Sequence, residues 1–578
     1  MSDPRALSGY WLRDNCPCAE CRDPGNDQKL FQITDLPAGL AVRESTEQDG
    51  HLAVLWSDGH RSRYPLARLA AATGPGLGDP DVPADPDTAD TALRHPGDHR
   101  TEAAKRLWRA ADFAAGVPEA HWDAYLADPA ERAAVLRAVR HLGFAVLRGV
   151  PATDRQVLAV VRTFGHVRVT NYGELFDVRV EPDPNNLAFT SAAVAPHTDN
   201  PYRDPVPTLQ LLHCLENAAE GGDSGLVDGF AAADLLRTEA PADFALLTRT
   251  PVPFVFRDRT TELHAERPLI ETDALGRIRE IRFNNRSIGT LRLPAADLDA
   301  FYAAYRRFAG ITLRPELRLT FRLDPGDCLV FDNTRLLHAR TAFDRDGRRH
   351  LQGCYADLDS LASALAVLDR HTEALDTLQE LFEGAGAAEY LGEAVTQAEH
   401  MRQAALLAQR DGAPAHLVAA ALLHDVGHFH GAVTGAQLMA GTDNRHSRTG
   451  ADLLARWFGP EVTEPIRLHV DAKRYLCAVE PEYRAGLSEA SEHTLRVQGG
   501  PMDTGEAAAF AALPAAADAV ALRRWDDRAK STDADTPGFD HFRPLLADLL
   551  AAGAAGAAGT AGTGGAAPEL CGTAERRR

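Results

Sequence analysis
The chain has no run of the roughly 18 apolar residues that a membrane span requires, although hydrophobic residues fill 45% of its 578 positions. A spanning helix is thereby excluded, while buried cores remain feasible. Positive charge is also scarce. Lys and Arg total 61 against 82 Asp and Glu, a net charge of −21. That balance disfavours nucleic acid and anionic membrane as partners. A small anionic substrate is still allowed, because local Arg and Lys residues decide that. The start, Met1-Ser2-Asp3-Pro4, lacks the basic and apolar regions of a secretion signal, so the chain is expected in the cytoplasm. No internal repeat is found, and the oligomeric state is left open, a homo-oligomer included. Cysteines number only eight, yet three crowd into Cys16-Pro17-Cys18-Ala19-Glu20-Cys21. In a reducing compartment such crowding reads as metal ligation rather than disulfide formation.

What is present divides into several domains, since the chain is too long for one. Residues 1–72 form a small unit. Its segments Leu52 to Trp56 and Arg63 to Pro65 flank a turn at Ser57-Asp58-Gly59-His60. Residues 73–100 are rich in Pro, Asp and Gly and read as a linker. Residues 101–360 mix a few helices with many short strands, among them Phe144 to Leu147, Thr208 to Leu212, Leu317 to Phe321 and Cys328 to Phe331. Short strands between Gly, Pro and Asp turns suggest a double-sheet jelly roll. Residues 361–378 read as a helical linker and 379–548 as an all-α bundle, because Ala and Leu recur there at helical spacing. Residues 549–578, almost all Ala, Gly and Thr before a terminal Arg run, read as a disordered tail. The expected class is multidomain α+β.

Three clusters carry chemistry. Cys16, Cys18 and Cys21 can place three thiolates on one tetrahedral Zn²⁺, with His60, on its turn, as the fourth ligand. A full protein shell leaves no open position, so this site is structural. The second cluster is His197-Thr198-Asp199 with His338 and Arg349. Two residues apart on an extended segment, His197 and Asp199 face the same way. Two histidines and one carboxylate occupy one face of an octahedron around iron and leave the other for a bidentate 2-oxo acid and O₂. Arg349 is placed to grip the far carboxylate of that acid.

The third cluster is His400, His424-Asp425, His446, His469 and Asp526. Each sits on a predicted helix, so all can converge on one bundle interior. Six ligands suit a metal pair bridged by Asp425. Asp526 competes with Asp527, and neighbours on a helix point about 100° apart. His428 and Lys473 stand one helical turn from His424 and His469. With Ser491 and Thr494 they would form an oxyanion pocket. Tyr390 and Glu393 precede His400 on roughly the same helical face.

Two resemblances follow from these residues. His197-Thr198-Asp199, Leu209 to Cys214, Gly221-Gly222-Asp223-Ser224, Val227 to Phe230, Phe331-Asp332-Asn333, Leu336-Leu337-His338, Arg349 to Gly353 and Tyr355-Ala356-Asp357 resemble the γ-butyrobetaine hydroxylase family, as does the Cys16-Cys18-Cys21 block inside Trp11 to Asn15. The resemblance covers roughly residues 8–360. It implies Fe(II), 2-oxoglutarate held by Arg349 and Ser224, and hydroxylation of an unactivated C–H. It also implies an aromatic cage for a quaternary ammonium, at Tyr172, Phe176, Phe189 and Tyr355 with Asn186 nearby. Phe176 and Phe189 are less polar than the family's pattern. Asn284 and Asn285 match a pocket segment and are candidates for the substrate's anionic end.

Over roughly residues 379–548, Tyr390 to Glu393, Gln397 to His400, Ala421 to His428, His469 to Tyr475 and Gln498 to Met502 resemble HD-domain mixed-valent diiron oxygenases, which cleave the C–P bond of 1-hydroxyphosphonates. This resemblance implies an Fe(II)/Fe(III) pair, Tyr390 and Glu393 as a gating pair, and His428, Lys473, Ser491, Thr494 and Gln498 as phosphonate contacts.

Joined, the two halves suggest consecutive oxidations of one organophosphonate. The first hydroxylates 2-(trimethylammonio)ethylphosphonate at C1, and the second cleaves C–P to glycine betaine and phosphate. Three rival readings stand beside this one. The substrate is 2-aminoethylphosphonate or a partly methylated form; or a betaine hydroxylase is fused to an HD phosphohydrolase; or the HD half is a non-catalytic module.

Overall fold
The computed structural model describes residues 9–23, 28–48, 50–66, 69, 105–179, 191–344, 348–384, 395–430, 446–487, 489–532 and 534–559. The linker at 73–100 and the candidates Asn186, Phe189, Tyr390 and Glu393 lie outside these residues. The chain forms two compact units, one of Met1–Asp123 with Val135–Leu358, the other of Ala124–Ala134 with Asp359–Arg578. No single helix among the described residues is long and apolar enough to cross a membrane.

The first unit opens with a three-stranded antiparallel sheet, Val42–Gln48, His51–Trp56 and Arg61–Pro65, in that order. Alternation in His51–Trp56 buries Leu52, Val54 and Trp56 on one face. The fully buried Trp56 Nε1 donates to Ser62 Oγ at 2.9 Å. The turn before Arg61 is held by His60 N donating to Asp58 Oδ1 and by Gly59 at φ +86°, a left-handed conformation that glycine adopts without a Cβ clash.

Beyond it, two sheets face each other. One runs Glu119–His121, Phe144–Arg148, Cys328–Asp332, Leu209–Asn217, Arg349–Ala356, Phe176–Arg179; the other runs Arg318–Phe321, Ser224–Asp228, Leu336–Arg340, Val194–His197. All pairings are antiparallel except that of Glu119–His121 with Phe144–Arg148. Phe144, Val146, Leu329, Phe331 and Leu351 of the first sheet pack with Leu226, Leu319 and Leu336 of the second. This is the layered arrangement that alternating short strands produce. Behind the smaller sheet the helices Gly229–Glu239, Pro241–Arg249 and Ala295–Thr312 close a second core around Phe254, Phe301 and Phe308. A fully buried Arg335–Asp228 pair at 2.7 Å fixes the turn before Leu336–Arg340. Arg335 also donates to the carbonyls of His141 and Arg106, so the buried charge is well satisfied.

The second unit is helical. Gln397–Arg410, Ala415–Leu423, His446–Leu454, Pro460–Val479 and Ala516–Arg528 bury a common core that includes Met401, Leu422, Leu423, Leu454, Ile466 and Leu522. Thr396 caps Gln397–Arg410 with a reciprocal Glu399 capping box. Two expectations need correcting. The segment read as a linker, 361–378, belongs to the helix Leu358–Glu383, and its Ala374, Leu375 and Leu378 join the core. The last helix, Arg543–Gly559, extends into the segment read as disordered, because Ala-rich sequence has high helix propensity.

Candidate active sites
Cys16, Cys18, Cys21 and His60 place one ligand atom each within 4.8 Å of one another. His60 Nε2 lies 3.3 Å from Cys16 Sγ and 3.6 Å from both other sulfurs. Burial, then the neighbouring Cys16, push the Cys21 thiol up to about 12, and burial lowers His60. Thiols so crowded suit a cation that takes them as thiolates, and this donor set fits Zn²⁺.

The second cluster follows from strand register. His338 on Leu336–Arg340 pairs directly with His197 on Val194–His197, which brings the two ring centroids to 4.1 Å. Asp199 lies just past the strand end, with Oδ1 at 3.4 Å from His197 Nε2 and Oδ2 at 3.8 Å from His338 Nε2. His197 Nδ1 is taken up by Ala195 O at 2.9 Å, which leaves Nε2 for a metal. Gln210 Nε2 and the Tyr355 hydroxyl both donate to Asp199 Oδ2. Burial, reinforced by His197, lowers His338 to about 3, so a neutral imidazole is available as a ligand. Against its burial, His338 and His197 hold Asp199 below the usual carboxylate range. Two imidazoles and a carboxylate fit a facial triad for iron.

A pocket of about 120 Å³ opens on these three residues and includes Ser224 and Arg349. Arg349 is 7% exposed and forms no ion pair among the described residues. Burial lowers its pKa. A buried guanidinium so placed calls for an anion.

Tyr172, Phe176 and Tyr355 line the same pocket. Phe176 is 5.2 Å from Tyr355 and 6.2 Å from Tyr172 between ring centroids. The Phe176 ring lies over Gly353, where a Cβ would sit 2.3 Å from it; any other residue there would push the ring away. Tyr202, which sequence reasoning missed, joins this wall, its hydroxyl 2.9 Å from that of Tyr172.

Asn284 and Asn285 require a correction, because neither lines the pocket. Asn284 Nδ2 donates to Thr198 O, and its Oδ1 accepts from Arg286 N and Nε. Asn285 Oδ1 accepts from the Tyr305 hydroxyl. The groups that face the pocket are Arg286 and Asn200. Asn200 is buried and holds a left-handed φ of 56°, a conformation Asn tolerates better than most residues.

The third cluster comprises two sets of three donors, His400, His424 and Asp526, then Asp425, His446 and His469. Asp425 joins them. Its Oδ2 is 3.6 Å from His424 Nε2, and its Oδ1 is 3.4 Å from His446 Nε2 and 3.6 Å from His469 Nε2. His400 Nε2 is 3.2 Å from Asp526 Oδ1. The Nδ1 atoms of His400, His424 and His469 meet the carbonyls of Ala529, Ala421 and Ile466, so each Nε2 faces the centre. His424 Nε2 is buried with no hydrogen-bond partner among the described residues, as a ligand atom would be. Burial lowers His469 to about 4 and His446 well below its ordinary value. The set fits two cations with Asp425 between them. Gly427 allows the approach: a Cβ there would be 2.0 Å from His446 O. Asp526, not Asp527, faces the cluster; Asp527 turns to Arg523 and Tyr483.

His428, Lys473, Ser491, Thr494 and Gln498 all line the adjoining pocket of about 110 Å³. Lys473 Nζ donates to Thr494 Oγ1 at 2.6 Å and to Gln498 Oε1 at 3.3 Å. Arg523 and Lys530 also line it, and Lys530 Nζ donates to Ser491 Oγ at 3.3 Å. Sequence reasoning missed both. One signal was available for Lys530, since the chain has only four lysines, Lys29, Lys105, Lys473 and Lys530, and two of them are here.

Burial, then Arg523, lower Lys473 to about 7. At pH 8 the free amine is mostly neutral, so an arriving dianion must draw a proton onto Nζ. We expect net proton uptake when a small dianionic oxyanion binds at pH 8, seen as a dependence of calorimetric heat on buffer ionisation enthalpy. The dissociation constant should rise by about tenfold per pH unit above 7. Binding heats independent of the buffer would contradict this.

The strand layers and facial triad define a dioxygenase class, and the comparisons agree. The family model of the taurine catabolism dioxygenase TauD, TfdA family matches residues 105–355. The γ-butyrobetaine hydroxylase-like N-terminal model matches 4–70, and the HD domain model matches 397–499. The chain belongs to the TauD, TfdA family of dioxygenases, joined here to an HD domain. It is 38% identical over 362 residues to a γ-butyrobetaine dioxygenase of Pseudomonas sp. (strain AK-1), covering 62% of this chain and 90% of that one. The γ-butyrobetaine dioxygenase of Homo sapiens is 29% identical over 384 residues, 63% of this chain and 91% of the relative. Over 167 residues the chain is 46% identical to a 1-hydroxy-2-(trimethylamino)ethylphosphonate dioxygenase (glycine-betaine-forming) of Leisingera caerulea, 29% of this chain and 85% of that protein.

Proposed function
We propose that this chain performs two successive oxidations of 2-(trimethylammonio)ethylphosphonate and releases glycine betaine and phosphate. The observation that carries the reading is the coexistence of a facial triad beside an aromatic wall with a six-donor centre beside a cationic pocket. The name of the Leisingera relative specifies the hydroxylated quaternary phosphonate as substrate and glycine betaine as product. Of the small molecules that the relatives' names specify, only this one contains phosphorus.

In the first site, Arg349 and Ser224 hold the far carboxylate of 2-oxoglutarate. Tyr172, Phe176, Tyr202 and Tyr355 face the trimethylammonium, which has no proton to donate and is attracted by ring faces. Arg286 and Asn200 supply donors for the phosphonate. Bound Fe(II) with 2-oxoglutarate and O₂ supplies the oxidant for an unactivated C–H, and 2-oxoglutarate leaves as succinate and CO₂. The result is a C1 hydroxyl.

In the second site, Lys473, Thr494, Gln498, Ser491 and Lys530 orient the phosphonate so that C1 and its new hydroxyl face the six donors. A metal pair there supplies O₂ activation. The C1–P bond breaks as C1 is oxidised to a carboxylate, with the two O₂ atoms entering the products. Asp425, whose two oxygens lie near His424 on one side and His446 and His469 on the other, would help to hold both metals. Zn²⁺ at Cys16, Cys18, Cys21 and His60 has a structural role.

Incubation of the full chain with Fe(II), 2-oxoglutarate, O₂ and the trimethyl, dimethyl, monomethyl and unmethylated phosphonates tests the reading. The trimethyl compound should have the highest kcat/KM and yield phosphate with glycine betaine. Fastest turnover of the primary amine, or hydroxylation of γ-butyrobetaine without any phosphonate turnover, would overturn it. Arg286→Gln should raise the KM for the starting phosphonate about tenfold or more, because a hydrogen bond to a charged group contributes roughly 1.5–3 kcal/mol. The second step, assayed with supplied hydroxyphosphonate, should be unchanged by this substitution.

A further inference from the structure
Beside the six-donor pocket lies a second cavity, of about 220 Å³, lined by His446, Ser447, Arg448, Val470, Asp471, Arg474 and Gln498. A water occupies about 30 Å³ in the liquid, so there is room for a hydrated small anion. His446, Val470 and Gln498 line both cavities. The two spaces therefore share a wall that includes Gln498, whose Oε1 is held by Lys473, leaving its NH₂ group as a donor.

The lining is mostly polar. Ser447 is 6% exposed, and its hydroxyl makes no hydrogen bond among the described residues. Arg448, exposed on the same helical turn, has no ion pair among the described residues. Arg474 is already engaged, donating to Gly500 O, Asp471 and Glu506. Asp471, the one acid in the lining, is therefore partly neutralised by Arg474, and the charge of Arg448 stays uncompensated. Ser447 and Arg448 also open the helix His446–Leu454, whose first N–H groups favour an anion.

We propose that this cavity is an oxyanion subsite that takes inorganic phosphate on its way out of the metal pocket. The proposal rests on the reading above, because that reaction yields phosphate at the far side of Gln498. A tetrahedral dianion released beside Lys473 would pass to the Gln498 amide, then to Ser447 and Arg448. The centre is thereby cleared for the next substrate.

Inorganic phosphate is the probe, titrated calorimetrically into the metal-loaded full chain, and turnover is not required. Lys473→Met removes a cation from the reaction pocket. In that background phosphate should still bind, and adding Arg448→Gln should weaken binding at least about tenfold, with Arg448→Lys restoring most of it. Loss of all phosphate binding on Lys473→Met alone, or unchanged binding in Lys473→Met with Arg448→Gln, would overturn the subsite. In turnover, Arg448→Gln should raise the phosphate inhibition constant about tenfold while the KM for the hydroxyphosphonate moves less than twofold. A shifted KM with unchanged phosphate inhibition would contradict the exit assignment. Failure of the two-step reaction itself would show separately, as no phosphate released by the unsubstituted chain.

Discussion
His424→Ala should convert the chain into a hydroxylase that stops halfway. Supplied with the quaternary phosphonate, Fe(II), 2-oxoglutarate and O₂, it should form succinate at the normal rate and accumulate the C1-hydroxylated compound. Phosphate release should fall at least about 10³-fold, the scale seen when a group that assembles a catalytic centre is removed. The reason is geometric. His424 Nε2 faces both Asp425 at 3.6 Å and Asp526 at 3.8 Å, so its removal breaks the set that contains His400 and also the link to Asp425. The complementary change, His197→Ala, should leave the starting phosphonate untouched, while supplied hydroxyphosphonate is still cleaved. Phosphorus NMR separates the three species. Phosphate formation by His424→Ala at the normal rate would remove the helical centre from the reaction.

Arg349→Gln should be nearly as damaging to the first step alone. The guanidinium is 7% exposed and has no carboxylate partner among the described residues, so on this reading a bound 2-oxo acid would supply its counter-charge. Truncating one partner of a buried charged pair costs about 2–5 kcal/mol, or roughly 30-fold to several thousand-fold in the dissociation constant of 2-oxoglutarate. Anaerobic titration of the Fe(II)-loaded chain with 2-oxoglutarate reads this directly. Arg349→Lys should recover only part of the loss, because an ammonium cannot present two parallel donors to a carboxylate. Wild-type affinity in Arg349→Gln would mean that the far carboxylate lies elsewhere.

Much of this was legible in the chain. His197-Thr198-Asp199 and His424-Asp425 are short and weak alone; their reading rests on the conjunction with distant histidines and on the two family resemblances. His60 could be named because its turn, Ser57-Asp58-Gly59-His60, is a local signal. The choice of Asp526 over Asp527 needed helix phase, which sequence alone left ambiguous. The pairing of His338 with His197 could be inferred only from motif conjunction, since it depends on which strands become neighbours.

The pocket walls were less legible. Arg286 is one exposed arginine in a chain rich in them, whereas the adjacent Asn284 and Asn285 stand out by matching a segment that lines the resembled family's substrate pocket. Folding buries Asn284, which holds Thr198 and Arg286, and leaves Asn285 exposed against Tyr305. The arginine that Asn284 braces is the group that faces the pocket. Tyr202 and Asn200 follow the metal motif directly, yet nothing in their spacing distinguishes a pocket wall from core. The segment 361–378 failed for a different reason. A linker helix and a core helix have the same periodicity, and only packing separates them.

The central claim is that one chain couples two O₂-dependent oxidations. The most direct measurement is the stoichiometry of O₂, succinate and phosphate during complete turnover of 2-(trimethylammonio)ethylphosphonate by the full chain. The account predicts two O₂ consumed and one succinate formed for each phosphate and glycine betaine. Phosphate released without O₂, or succinate and phosphate formed with only one O₂ between them, would contradict it.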